Sequence, residues 1–255
     1  MYVSYLLINV GENPDRPRPG RLWLRNLYRV HQRLCMAFPS TYRTSADPDF
    51  LQPFNPDDFR AKPVHAPRGR DAGFLFRIDP QPGGRVMILV QSAGQPNWDY
   101  AFHNADYLLV APPSTKAFEP SATKEQRLRF RLMANPTKRL SQNSRERDGQ
   151  PVKSESVGKR VPVLTEKLEE WLEQRAGPAG FRVERLSSVQ AGYVYWSKNT
   201  DGSGNRLRFA RYDGILQVTD PTHFHDALMR GTGPGKAYGC GLLSIAPPIP
   251  PIAHK

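Results

Sequence analysis

An α+β architecture of two tandem domains, each built on an antiparallel sheet, is predicted by three observations on this 255-residue chain. Strand-type and helix-type hydrophobic periods follow one another in the order β-α-β-β-α-β over residues 1–112. A Pro- and Ser-rich stretch, APPSTKAFEPSATK (111–124), then marks a boundary, with the linker set at 113–125. The same order recurs over 126–247, with no repeat at the level of residues. A β-α-β-β-α-β unit is the ferredoxin-like (RRM-like) arrangement, with its helices on one face of the sheet.

In the first unit, Tyr2 to Val10 is an apolar strand. After the turn-rich GENPDRPRPG comes LWLRNLYRVHQRLCMAF, residues 22–38, with a helical period. At about 100° per residue, Leu34, Leu27, Phe38, His31, Leu24, Cys35 and Tyr28 fall across one stripe of roughly 120°. His31 lies in the middle of that stripe. Periodicity alone leaves open whether it is a satisfied core histidine or the lining of a site. Residues 40–71 are an irregular, Pro-rich excursion with no more than a short turn of helix. GFLFRIDP and RVMILVQS are strands joined by the hairpin signal Pro82-Gly83-Gly84, and a helix at Trp98–His103 and a strand at Tyr107–Val110 complete the unit.

The second unit opens with QRLRFRLMAN, in which Leu128, Phe130 and Leu132 alternate with Arg127, Arg129 and Arg131, giving one buried and one cationic face. TEKLEEWLEQRAG is a helix with Thr165 as its N-cap, acids in its early turns and Gly177 as its stop. Strands follow at Phe181–Leu186, Gly192–Ser197 and Arg206–Thr219, the last two joined by the turn NTDGSGN. Pro221–Arg230 is a short helix begun at Asp220, and Gly241–Ala246 is the closing strand. Residues 248–255 form a mobile, polyproline-like tail.

A formal charge of +12 favours a polyanionic partner, with nucleic acid foremost. The apolar opening MYVSYLLINV has no basic lead-in and no small-residue cleavage site, and no apolar run is long enough to span a membrane; a cytoplasmic protein without a membrane partner is expected. Cys35 and Cys240 have no further Cys or His at ligand spacing, so no metal site is expected, and both read as small buried hydrophobes.

The cations cluster. Between Lys116 and Arg160 lie Lys124, Arg127, Arg129, Arg131, Lys138, Arg139, Arg145, Arg147, Lys153 and Lys159, against Glu119, Glu125, Glu146, Asp148 and Glu155. A second group, Lys198, Arg206, Arg208 and Arg211, flanks NTDGSGN, where alternation puts Arg206 and Arg208 on one face. Any one of these is read most simply as solvated surface, whereas the cluster follows a phosphate backbone. No paired aromatics in an RNP pattern are found, so base stacking on the sheet is not expected. GTGPGKAYGCGLLSIAP carries Gly231, Gly233, Gly235, Gly239 and Gly241 with Lys236. Such glycines allow backbone N–H groups to reach an anion, or simply form a tight helix-to-strand connection; the spacing matches neither a Walker loop nor a dinucleotide fingerprint.

Tyr28-Arg-Val-His31-Gln, LRFRLMANPTKRL (128–140) and GTGPGKAYGCGLLSIAP, in that order over nearly the whole chain, resemble the CasE family, the repeat-processing endoribonuclease of the type I-E CRISPR Cascade complex. The resemblance implies cofactor- and metal-independent cleavage of CRISPR precursor RNA at the 3′ base of each repeat stem, retention of the mature guide, and other Cascade subunits as partners. It implies proton transfer by His31, because an imidazole titrating near pH 6.5 serves as acid or base at about neutral pH. Tyr28, on the same face, positions the scissile phosphate or the 2′-OH, since a phenol near pKa 10 makes a poor base. It further implies that the glycine loop (Gly231, Gly233, Gly235, Lys236, Gly239, Gly241) approaches this helix across a cleft and holds RNA backbone. The hairpin cations Lys198, Arg206 and Arg208 would enter the stem groove, and Arg129, Arg131, Lys138, Arg139, Lys159 and Arg160 would bind RNA. Lys198 stands alone on the entering strand YWSKNTDG, where some relatives carry adjacent arginines, and Gln32 stands where some carry a cation beside the histidine. Two other readings compete: a non-catalytic RNA-binding subunit of such a complex, and a small-molecule enzyme that holds a nucleotide phosphate in the glycine loop.

Overall fold

In the computed structural model, residues 1–11, 13, 18–40, 73–144, 153–197 and 204–248 are described. The irregular segment expected at 40–71 lies, beyond Ser40, outside the described residues, as do Lys198, Arg145, Arg147, most of the turn NTDGSGN and the tail from residue 249.

The first half contains β1 (Tyr2–Ile8), α1 (Pro19–Leu24), α2 (Leu27–Cys35), β2 (Phe74–Pro80), β3 (Val86–Ser92), α3 (Trp98–Phe102) and β4 (Ser114–Ala117). Its sheet has the order β2-β3-β1-β4, with every neighbouring pair antiparallel. The second half contains β5 (Arg127–Ala134), β6 (Thr137–Arg139), β7 (Arg160–Pro162), α4 (Leu168–Ala176), β8 (Phe181–Trp196), β9 (Asn205–Val218), α5 (Pro221–Arg230) and β10 (Leu243–Ala246). Here the order is β10-β5-β9-β8, again antiparallel throughout, and β6 and β7 pair as a separate ribbon. In both sheets the first and third strands of the unit are central and the second and fourth are edges, so the two halves share the ferredoxin-like topology.

Several elements differ from their sequence expectation. The fourth strand of the first unit is Ser114–Ala117, inside the supposed linker, while Asp106–Leu108 is a 3-10 turn and only Leu109 bridges to Ile8. β4 is a polar edge strand, anchored where Thr115 Oγ1 meets Ser4 Oγ at 2.9 Å and accepts from Trp98 Nε1 at 3.1 Å. An edge strand packs few apolar side chains, so hydrophobic patterning underreports it. The helix expected over 22–38 is interrupted: Asn26 is extended and its side chain accepts from Tyr28 N at 3.1 Å, capping a new helix. Leu24 therefore does not share α2 with His31. Thr165 does not cap α4; it sits in a 3-10 turn and its hydroxyl accepts from Arg208 Nη2 at 2.6 Å. Gly177 is right-handed and the left-handed glycine is Gly180, at φ +76°. Finally, the strands expected at 181–186 and 192–197 are one strand, β8, with register shifts between Val183 and Arg185 and between Leu186 and Ser188.

Each sheet has its own core. Leu6, Ile8, Phe76, Ile88 and Val90 meet Val30 and Leu34 of α2 and Trp98 and Phe102 of α3. In the second half, Leu132, Tyr212, Leu216 and Phe181 meet Leu172 of α4 and Phe224 of α5. Both cysteines are buried, and burial pushes the Cys240 thiol up to about 12. The opposite face of the first sheet meets the second half through polar groups. Arg77 pairs with Asp79 at 2.8 Å and donates to Ser244 Oγ at 2.8 Å, and Gln91 Nε2 donates to the Leu228 carbonyl at 2.6 Å. No helix among the described residues is long and apolar enough to cross a membrane.

Candidate active site

The junction of the two halves brings α2, β8 and the glycine loop together. Tyr28 and His31 are half-buried on α2, one turn apart. The Tyr28 ring lies 6.5 Å from the Trp196 ring at the end of β8, which in turn lies 4.9 Å from Tyr238 of the loop. Burial, with Tyr28 as a second cause, raises the Tyr238 pKa. His31 stacks on Phe74 and Phe76 of β2, with ring centroids 5.5 Å and 6.3 Å away. Its Nε2 is 3.5 Å from Cys35 Sγ, and which atom donates depends on the imidazole tautomer.

All five glycines of the loop have positive φ, from +72° at Gly231 to +95° at Gly241. At Gly231 a Cβ would stand 2.7 Å from Leu75 Cδ1 and 2.8 Å from the Gly241 carbonyl, so the loop closes tightly only without one. Most of the loop's N–H groups serve this closure. Gly231 N donates to Ala227 O, Gly239 N to Lys236 O, and Gly241 N to Met133 O at 2.6 Å. Gly233 and Gly235 have no backbone acceptor for their N–H among the described residues. Lys236 Nζ donates to the Arg230 carbonyl at the end of α5, and burial, aided by Arg230, lowers its pKa. Three glycines and the lysine assigned to RNA from the sequence thus build the loop itself.

The cations divide in the same way. Arg131 Nε donates to Asp213 Oδ1 at 2.5 Å, and Arg131 Nη1 lies 3.9 Å from Asp79, which ties the second sheet to the first. Arg129 Nε donates to the Pro247 carbonyl at 2.8 Å, and Arg127 pairs with Glu184 at 2.6 Å. The cations of β5 therefore meet acceptors of the protein itself, mostly in their own half, which alternation could not reveal. Arg208 Nη1 donates to the Val163 carbonyl at 2.5 Å and so braces β9 against the approach to α4. By contrast, Lys138, Arg139, Lys159 and Arg160 are exposed on the β6–β7 ribbon, and Arg139 stands directly opposite Arg160. Arg206 is exposed, its guanidinium 5.0 Å from the centre of the Tyr193 ring. Register places Tyr193 opposite Arg208 and Tyr195 opposite Arg206, and these tyrosines are 49% and 61% exposed.

Sequence reasoning missed Asn26, Tyr193, Tyr195, Trp196 and Tyr238. The alternation YVYW was visible for the hairpin aromatics; for Asn26 the signal was only an Asn within an apolar helical run.

A family model described as CRISPR associated protein matches residues 1–247. The chain is 38% identical over 186 residues to the CRISPR-associated endoribonuclease Cse3 of Thermus thermophilus, covering 68% of this chain and 79% of the relative. It is 30% identical over 248 residues to the CRISPR system Cascade subunit CasE of Escherichia coli, covering 97% of this chain and all of the relative. A solved structure of Cse3 bound to a 19-nucleotide RNA superposes with a TM-score of 0.66 at 29% identity, over 97% of this chain and 100% of that one. A Thermus thermophilus Cse3 structure with an RNA representing a pre-cleavage complex gives 0.64 at 28% identity, over 96% and 98%. The chain belongs to the family of CRISPR-associated proteins that includes Cse3 and CasE.

Proposed function

We propose that this protein is a repeat-specific endoribonuclease. It binds the stem-loop of CRISPR precursor RNA, cuts at the 3′ base of the stem by 2′-OH attack, and retains the guide RNA within a cytoplasmic Cascade complex. The observation that carries this reading is the meeting of α2 with the glycine loop, in which Trp196 lies between Tyr28 and Tyr238, and Phe76, on which His31 stacks, lies against Gly239. Family membership supports the reading.

Attack by the 2′-OH on the neighbouring phosphate requires removal of one proton, delivery of another to the departing 5′-oxygen, and stabilisation of the charged phosphorane. His31 transfers protons, and for this its Nε2 exchanges the Cys35 contact for an RNA oxygen by rotation of the ring off Phe74. Tyr28 holds the phosphate or the 2′-OH in place. The N–H groups of Gly233 and Gly235 are the glycine donors of the loop offered to RNA backbone. Like charges directly opposite on paired strands repel, and a stem phosphate between Arg139 and Arg160 removes that penalty. Lys138, Lys159 and Arg206 add to this surface. Arg129, Arg131, Arg208 and Lys236 act through the fold that presents it.

The seat of His31 between β2 aromatics and Cys35 favours one second reading, a non-catalytic RNA-binding subunit with a core histidine. Labelled repeat RNA incubated in EDTA with wild type and with His31→Ala separates the two. We expect a 2′,3′-cyclic phosphate and a 5′-OH from wild type, and a loss of about 10² to 10⁴ in rate for the variant with binding retained. Equal cleavage by both proteins removes His31 from the mechanism, and no cleavage by wild type establishes the second reading.

A further inference from the structure

We infer that Asn26 is a positioning residue that couples the RNA-binding hairpin to the helix carrying Tyr28 and His31. Its side chain makes three hydrogen bonds, one to the adjoining first turn of α2 and two to a residue far away in sequence. Oδ1 accepts from Tyr28 N at 3.1 Å, which starts α2, and from Ser197 N at 3.2 Å, while Nδ2 donates to the Ser197 carbonyl at 2.9 Å. Ser197 directly follows β8 and precedes the hairpin tip. A carboxamide offers an acceptor oxygen and a donor NH2 in a single plane, and here it pairs with the N–H and C=O of one residue as a neighbouring strand would. The same fork sets the first turn of α2. Trp196, one residue earlier, completes the connection by lying between Tyr28 and Tyr238.

Any displacement of the hairpin by a bound stem is therefore delivered to the N-terminal end of α2. Misplacement of reacting groups by about 1 Å can cost about 10²-fold in rate, so holding this end matters more to cleavage than to binding. The inference rests on the endoribonuclease reading.

Asn26→Asp and Asn26→Ser both keep an acceptor for Tyr28 N, so α2 stays capped. Asp loses the donor to the Ser197 carbonyl and sets a carboxylate against it, and Ser is too short to reach Ser197. In the full-length protein, single-turnover cleavage of repeat RNA is compared with affinity for the same RNA carrying a 2′-deoxy group at the scissile position. Cleavage is expected to fall about 10- to 100-fold in both variants, with affinity changed less than about threefold. Amide exchange without RNA should show Ser197 deprotected in Asn26→Ser, which removes the acceptor of its N–H, and Tyr28 still protected in both variants. Wild-type rates in both variants would confine Asn26 to capping and overturn the inference, as would equal losses of rate and affinity. If wild type itself does not cut, the endoribonuclease reading and this role fall together; if it cuts and the variants match it, only this role falls.

Discussion

Asp220 performs two tasks at the start of α5. Its carboxylate accepts from His223 N at 3.0 Å, capping the helix, and pairs with His223 Nδ1 at 2.8 Å. Hydrogen bonds from His223 hold the Asp220 pKa below the usual carboxylate range, and the hydrogen bond to Asp220 raises that of His223. His223, raised on folding, contributes stability that is complete below its ordinary value and is lost as pH rises through the raised one. Asp220, lowered on folding, contributes above its ordinary value and loses this as pH falls through the lowered one. Both contributions are complete between about pH 4 and about pH 6.5. An NMR titration should place the His223 midpoint above about 6.5 in wild type and return it there in Asp220→Asn; an unmoved midpoint refutes the pair. Asp220 as a cap was legible from Asp-Pro before an amphipathic run. Asn26, also a cap, was not, because the chain on both sides of it is helical and apolar.

At the scale of elements, the glycine loop is a shape before it is a ligand. Gly239 has φ +77°, and a Cβ there would stand 3.3 Å from Phe76 Cε2, the ring on which His31 stacks. Gly239→Ala should destabilise the protein by about 1–2 kcal/mol for the left-handed backbone alone, and should slow cleavage as Phe76 is pushed toward His31. Urea unfolding and single-turnover cleavage test this; wild-type values in both would show that the loop tolerates a Cβ. Helices α2, α4 and α5 and the central strands of both sheets were legible from periodicity, because each buries one face along its length. The polar edge strand β4 and the break between α1 and α2 were not. The edge strand buries little, and the break is made by the Asn26 side chain, which caps α2 at Tyr28 N, rather than by proline or glycine.

Over the whole molecule, an ionic cluster around the buried pair Arg77–Asp79 spans the two halves. Arg77 and Asp79 have side chains only 4% and 7% exposed, and Arg77 also reaches Ser244 and the Arg131 carbonyl of the second half. Arg131 lies between Asp79 and Asp213, and Arg211 pairs with Asp213 at 2.9 Å. Asp79→Ala leaves the Arg77 guanidinium buried without its carboxylate, at a cost of about 3–5 kcal/mol in urea unfolding. The double change Arg77→Met with Asp79→Leu should recover much of this, and a cost near zero for Asp79→Ala would deny the cluster any part in joining the halves. If the exposed cations Lys138, Arg139, Lys159, Arg160 and Arg206 bind phosphates, repeat-RNA affinity should fall steeply with salt, and a flat response would show that this surface does not bind them.

The sequence by itself determined the order of elements, the doubled ferredoxin-like plan, the excess of positive charge and the three blocks that resemble the CasE family. These follow from burial period and composition, which are properties of neighbouring residues along one chain. Only the tertiary structure decided what each polar group does. Arg131 meets Asp79 and Asp213, Lys236 meets the end of α5, and Asn26 meets Ser197, whereas Arg139 and Arg160 are left facing one another. The physical reason is that a hydrogen bond or ion pair is set by strand register and by the docking of the two halves. Both bring together residues whose spacing in sequence carries no record of their contact.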